Sequence, residues 1–259
     1  MALPTVTKEQ VVARLGEIGV EQGDSLLVHS ALQFLGRPED GPATYLQALE
    51  AVLGPEGTIA VPTFNFGFAR GEDYDPATTP ADGMGAFSEY VRQQPGAQRT
   101  SHPMQSLAIL GRHAEELAAL DRPSAFDDGS AFDRMLALDF KLLLLGASVN
   151  AASVLHYSEQ RAAVPYRYWK AFSGRIHRNG EWAEHSYRMF VRDLERDPQL
   201  EISTIQKLLE EHGQWHSWRL NYGDIVQCRL ADFVAAADEL LAADPWVFVT
   251  NRAAIQAGD

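Results

Sequence analysis

The stretch "SVLHYSEQ" places His156 and Glu159 three residues apart, just behind the apolar run "KLLLLGASVN". On a helix that spacing puts both side chains on one face, less than a turn apart. A carboxylate against an imidazole raises its basicity and holds one tautomer, the arrangement of a general base with its orienter. Spacing alone does not decide the matter, because His and Glu fall at i and i+3 on many solvated helix faces. A zinc site needs a third ligand that "HxxE" does not supply, so no metal is expected.

Other polar residues gather where apolar strands end, the edge of an α/β sheet at which ligands collect. His29 and Ser30 close "DSLLVHSA", and Thr63 and Asn65 close "GTIAVPTF". Ser148 and Asn150 follow "KLLLLG", with Asn150 expected to cap a helix that starts near Ala151. The loop "RTSHPMQS" carries Arg99, Ser101, His102 and Ser106. Its guanidinium, hydroxyls and amides suit a phosphate or a pantetheine amide, and equally a plain surface loop. The motifs "GxGxxG", "GxxxxGK[ST]" and "GxSxG" are absent, which disfavours a dinucleotide fold, a P-loop hydrolase and an α/β-hydrolase. Cys228, within the strand-like "DIVQCRL", reads as a core or solvent-face residue rather than a nucleophile.

These residues need elements to position them. Thr7 caps a helix expected over residues 8–18, with Val11, Val12, Leu15 and Ile18 on one face. "DSLLVHSA", the helix "GPATYLQALEAVLG" and "GTIAVPTF" form a parallel strand–helix–strand crossover. A long polar loop, "NFGFARGEDYDPATTPADG", follows, then a helix over residues 84–94 and the strand "SLAILG". "RHAEELAAL" and "SAFDRMLAL" read as helices ahead of "KLLLLG". Farther on, Asn179-Gly180 sits between two alternating segments, a strong hairpin signal. "STIQKLLEEHG" reads as helix, and "GDIVQCRLADFVAAADELLAADPWVFV" as strand, helix, strand. The expected architecture is α/β: a mixed, mostly parallel central sheet flanked by helices, with an antiparallel hairpin near residues 175–191. It forms a single domain over residues 1–259.

Composition limits the partners. The 259 residues carry a net charge of −13. Nucleic acid and anionic membranes call for a basic surface and are not expected as partners. One cysteine rules out an internal disulfide. With no signal-peptide pattern and no apolar run long enough to cross a bilayer, a cytoplasmic location is expected.

Taken together, "LLVHSALQFLG", "LGPEGTIAVPTF", "DYDPATTPADGMGAFSEYVRQQPGAQRTSHPMQSLAILG", "KLLLLGASVNAASVLHYSEQRAAVPYR" and the late "GD…ADFVAAADELL" resemble the aminoglycoside 3-N-acetyltransferase family, the non-GNAT antibiotic N-acetyltransferases. The likeness runs along nearly the whole chain in order. It implies acetyl transfer from acetyl-coenzyme A to an amine, with His156 as base and Glu159 as its partner. By likeness, His29, Ser30, Ala31 and Phe34 lie against coenzyme A, and Arg99, Ser101, His102 and Ser106 form the wall along the pantetheine and thioester. Ala31 replaces a serine present in many members, which removes one hydroxyl contact. Asp75, Asn65, Tyr157, Arg161, Tyr166 and Arg167 are the expected acceptor contacts. A small-molecule amine and coenzyme A are the expected partners, and a homodimer is left open.

The acceptor itself stays open. Between residues 156 and 192 stand Arg161, Arg167, Lys170, Arg175, Arg178, Arg188 and Arg192 against only Glu159, Glu181 and Glu184. A basic island suits a phosphorylated or nucleotide-linked amino sugar or another anionic amine. Glu72, Asp73 and Asp75 in the long loop suit a cationic aminoglycoside instead. A non-catalytic coenzyme A-binding protein is the third alternative, and the intact His156 and Glu159 speak against it.

Overall fold

An apolar run with no polar face, such as "KLLLL", needs cover on both sides of a sheet. The computed structural model, which describes residues 3–257, provides that cover. In chain order the strands are β1 (Thr5–Val6), β2 (Ser25–Ser30), β3 (Arg37–Pro38), β4 (Thr58–Pro62), β5 (Gln98–Arg99), β6 (Leu107–Gly111), β7 (Lys141–Leu145), β8 (Arg167–Arg178), β9 (Glu181–Arg192), β10 (His216–Leu220) and β11 (Gly223–Arg229). The helices are α1 (Lys8–Glu17), α2 (Pro42–Leu53), α3 (Gly85–Arg92), α4 (Ala114–Ala118), α5 (Ala131–Ala137), α6 (Leu155–Arg161), α7 (Ser203–Glu211), α8 (Leu230–Ala243) and α9 (Arg252–Ala257).

Seven strands form one mixed sheet in the order β10-β11-β7-β2-β4-β6-β5. Its central strands β7, β2 and β4 run parallel, and antiparallel strands extend it on both sides. Strand alternation divides the core. Leu26, Val28, Leu143 and Leu145 face α1, α2 and α3, packing with Val11, Leu15, Tyr45, Leu49 and Phe87. Leu27, Leu142 and Leu144 face the other way, onto Phe132, Leu155, Phe233 and Ala237. His29, two residues beyond Leu27, shares the second face, the one on which α6 lies.

Local chemistry sets several boundaries. Thr7 and Gln10 form a reciprocal capping box at α1, and Pro42 and Gly54 bracket α2. Asn179 and Gly180 both adopt positive φ, 52° and 82°, which matches the twist of a two-residue hairpin. The hairpin β8–β9 spans 12 residues in each strand, longer than its alternating tip suggested.

Two expectations fail on packing. "PWVFV" makes no strand, only a single bridge from Val249 to Leu200. β11 already has β10 on one side and β7 on the other, so no sheet edge is left for it there. The helix expected from Ala151 starts at Leu155. Residues 149–151 make a 3-10 turn capped by Ser148, and the Asn150 side chain instead reaches Glu201 and the Ile202 amide. Among the described residues no helix is long and apolar enough to cross a membrane.

Candidate active site

The parallel strands β7, β2 and β4 end on one edge of the sheet. β4 lies on one side of β2 and β7 on the other, with α2 leading into β4 on one face of the sheet and α5 leading into β7 on the other. Such a switch point opens a crevice. A cleft of about 490 Å³ occupies it, lined by His29, Ser30, Ala31 and Gln33 after β2, Phe64 after β4, Met84 and Gly85 at the start of α3, and Asn150, Ser153 and His156. Leu200 and Ile202 close one side. Among the described residues no Lys, Arg, Asp or Glu lines it.

Although α6 starts late, it keeps the i, i+3 relation. His156 Nδ1 lies 2.6 Å from Glu159 Oε2. The Glu159 side chain is 0% exposed and that of His156 32%. Burial alone would raise the Glu159 carboxyl. The charges and hydrogen bonds of His156 and Arg167 outweigh it and hold it below the ordinary range. An ionised carboxylate only accepts, so Nδ1 carries the proton it donates. Nε2 is left with its lone pair.

His29 is buried, with Nε2 3.4 Å from the Ser153 hydroxyl. Burial, then the nearby His156, pull its imidazole down to about 4, so it is neutral at physiological pH. Phe126 sets its ring edge-on to His156, with centroids 5.9 Å apart.

The other expected site residues lie elsewhere. Phe34 turns into a neighbouring groove with Trp215 and Tyr222. Arg99 is largely buried: it donates to the Thr63 and Thr79 carbonyls and, through Nε, to Thr63 Oγ1 at 3.1 Å and Ser106 Oγ at 3.2 Å. With Ser106 it pins the long loop to the sheet rather than walling the cleft. Ser101, half-buried in the same loop, also lies off the cleft lining. His102 is buried against the Tyr187 ring, and burial pulls it down to about 4. Asn65 accepts from the Gly67 amide and donates to Pro80 O, which shapes the same loop. Asp75 accepts from the Ala77 amide and Thr78 hydroxyl and sits 3.4 Å from His177.

Nor do Tyr157, Arg161, Tyr166 and Arg167 line the cleft. Tyr157 donates to Asp133, and Arg161 reaches out to Asp238. Tyr166 is buried, its hydroxyl raised by burial and by Glu159. Arg167 lies behind Glu159. The basic island is mostly matched within the fold: Arg175 with Asp73, Arg178 with Asp121, Arg188 with Asp127. Cys228 is buried and its thiol is raised by burial, the state of a core residue.

Reading the sequence alone missed Ser153, Gln33, Phe64 and the Gly83–Gly85 turn. Gly83 and Gly85, at φ 71° and 84° where the chain enters α3, were the available signal for the last.

An imidazole–carboxylate pair beside a crevice without charged lining, at a sheet switch point, is a layout suited to acid–base chemistry on a small bound molecule. Comparison narrows that class. A profile of the aminoglycoside 3-N-acetyltransferase family matches residues 27–242. Aminoglycoside N(3)-acetyltransferase III of a Salmonella species is 33% identical over 198 residues, 68% of each chain. Aminoglycoside N(3)-acetyltransferase IV, also from Salmonella, is 30% identical over 245 residues, 93% of this chain and 90% of its own. Among solved structures, the apoenzyme AAC(3)-IVa matches with a TM-score of 0.80 at 28% identity, over 97% of this chain and 94% of that one. A histidine-to-alanine mutant of AAC(3)-IVa in complex with a gentamicin matches at 0.80 and 29% identity, over 98% and 95%. The chain belongs to the aminoglycoside 3-N-acetyltransferase family and is an acyltransferase.

Proposed function

We propose that the protein transfers the acetyl group of acetyl-coenzyme A directly to an amino group of an aminoglycoside, with His156 as general base. The observation that carries this reading is the buried, ionised Glu159 holding Nδ1 of an imidazole that lines the cleft. An alkylammonium must lose its proton before it can attack a thioester, and a base that titrates near neutrality does this best. His156 Nε2 takes the ammonium proton and passes it to solvent, the free amine attacks the thioester carbonyl, His156 takes the second nitrogen proton, the C–S bond breaks, and the thiolate leaves with that second proton. Ser153, beside the neutral His29, supplies a hydroxyl to the developing oxyanion.

The lining supports the co-substrate. Neutral hydroxyl and amide groups interleaved with Phe64, Leu155 and Ile202 suit the uncharged pantetheine arm. The first turn of α3 has no side-chain cap, and its amides border the cleft where a phosphate would benefit from them. The matched arginines of β8 and β9 speak against an anionic acceptor, and the relatives crystallised with a gentamicin and with apramycin support an aminoglycoside.

The test is a thermal shift with acetyl-coenzyme A followed by thiol release with gentamicin, apramycin and a nucleotide amino sugar. Stabilisation by acetyl-coenzyme A, and release with an aminoglycoside only, are expected. Release with the nucleotide sugar alone, or no binding of acetyl-coenzyme A, would overturn the reading.

A further inference from the structure

Arg167 begins β8, eight residues after Glu159 and off the helix that carries the dyad. Its Nη2 lies 2.9 Å from Glu159 Oε2, the same oxygen that receives His156 Nδ1 at 2.6 Å. The Arg167 side chain is only 8% exposed. Nη2 also lies 3.2 Å from His156 Nδ1. Both nitrogens carry hydrogen toward the carboxylate, so this last distance is a contact between two donors, not a bond. From the far side of the guanidinium, Nη1 donates to the Phe190 carbonyl on β9 at 3.2 Å.

We infer that Arg167 is a positioning residue of the acetyl transfer: it shares the Glu159 carboxylate with His156, ties it to the β8–β9 hairpin, and keeps the imidazole in its proton-accepting form. The charges give the reason. With a neutral imidazole, His156, Glu159 and Arg167 sum to zero; with an imidazolium they sum to +1. Without Arg167 the sums are −1 and zero, so the carboxylate would hold the proton on the ring more firmly. Among the described residues, the other titratable groups facing this set are His29 from β2, which is neutral, and the Tyr166 hydroxyl against Glu159. Arg167 therefore draws on the same carboxylate oxygen that would otherwise serve the imidazole alone.

The role of base rests on the acetyl-transfer reading; the following titration does not. The ring C2 proton of His156, identified by its loss in His156→Asn, is followed by NMR in wild type, Arg167→Gln and Arg167→Lys. In Arg167→Gln the midpoint is expected to rise by about one pH unit, while Arg167→Lys stays close to wild type. The acidic limb of kcat/KM for the amine should move with it, with KM for acetyl-coenzyme A held. An unmoved midpoint in folded Arg167→Gln, or an equal rise in Arg167→Lys, would overturn the inference. Should Arg167→Gln not fold, Glu159→Gln is compared with Glu159→Gln/Arg167→Met, in which no buried charge is left unpaired. A higher midpoint in the double variant supports the role, and equal midpoints reject it. If no amine is turned over while the midpoint still shifts, the fault lies with the acetyl-transfer reading alone.

Discussion

Replacing Glu159 by Gln removes a charge and keeps the shape of the side chain. In the wild type the fully buried carboxylate accepts from His156 and from Arg167, which hold its carboxyl lowered against the opposing effect of burial. A folded value below the unfolded one means that the anion stabilises the fold above the ordinary carboxyl range, about 4.3 for Glu. That contribution is lost as pH falls through the folded value. In Glu159→Gln it is absent at every pH, and Arg167 stays buried without a counter-ion. Removing one partner of a buried pair costs about 3–5 kcal/mol. For 259 residues the unfolding entropy is about 0.5 kcal/mol/K, so Tm at pH 7 should fall by roughly 6–10 °C. The gap should narrow as pH falls below about 4, where the carboxyl of the unfolded wild type takes up its proton before that of the folded one. Calorimetry of both proteins from pH 7.5 to 3.5 measures this. Acetyl transfer should fall about 100-fold, because Gln can offer Nδ1 its carbonyl or its amide and no longer holds one tautomer. A variant that melts within about one degree of wild type at pH 7 would show that no ionised, paired carboxylate sits there, and the charge argument for both His156 and Arg167 would fail.

His156→Ala should lose about 10²- to 10⁴-fold in thiol release while acetyl-coenzyme A still raises its Tm; near-wild-type turnover would remove it as base. Gly111→Ala should destabilise by about 3 kcal/mol or more, read as a lower Tm, because a Cβ there would lie 2.1 Å from the Gly57 carbonyl at a φ of 101°. With net charge −13, kcat/KM for a polycationic amine should fall several-fold from about 0.05 to 0.3 M salt, while that for a neutral amine stays level. Equal salt responses would show that charge does not draw the acceptor in.

What the sequence could reveal depended on how local the cause was. β7 and α2 were legible because a dense apolar run, or a stripe between Pro42 and Gly54, admits few other placements. The Asn179-Gly180 turn was legible from its own chemistry, but the reach of its strands was not. β8 and β9 alternate aromatic and charged residues with much of both faces exposed, so no burial period marks their ends. "PWVFV" looked like a strand because its apolar residues are buried, yet burial does not create a free sheet edge. Arg99, in a loop with hydroxyls, looked like a ligand contact. Its actual partners, the carbonyls of Thr63 and Thr79, stand 36 and 20 residues away and cannot be read from spacing. The dyad spacing survived a four-residue error in the start of α6, because i, i+3 depends on helix pitch and not on where the helix begins. Arg167 was noticed but assigned to the acceptor, since only the chain reversal after α6, with Ala163 at φ 47°, returns it to Glu159.

The same limit explains the basic segment. Counted along the chain, residues 156–192 are rich in arginine and poor in acids, which suggested a cationic face. In the fold, Arg161, Arg175, Arg178 and Arg188 meet Asp238, Asp73, Asp121 and Asp127, all from distant stretches. Asp127 also accepts from Gln160, the residue after Glu159, and its neighbour Phe126 sets its ring against His156. Arg188 therefore holds the loop that packs on His156, just as Arg167 holds the carboxylate bonded to it. Two arginines on opposite strands of one hairpin thus hold the two segments that flank His156, α6 through Glu159 and the Phe126 loop through Asp127, without either lining the cleft. Arg167, Arg175, Arg178 and Arg188 are therefore matched by carboxylates of the fold rather than left as a cationic face.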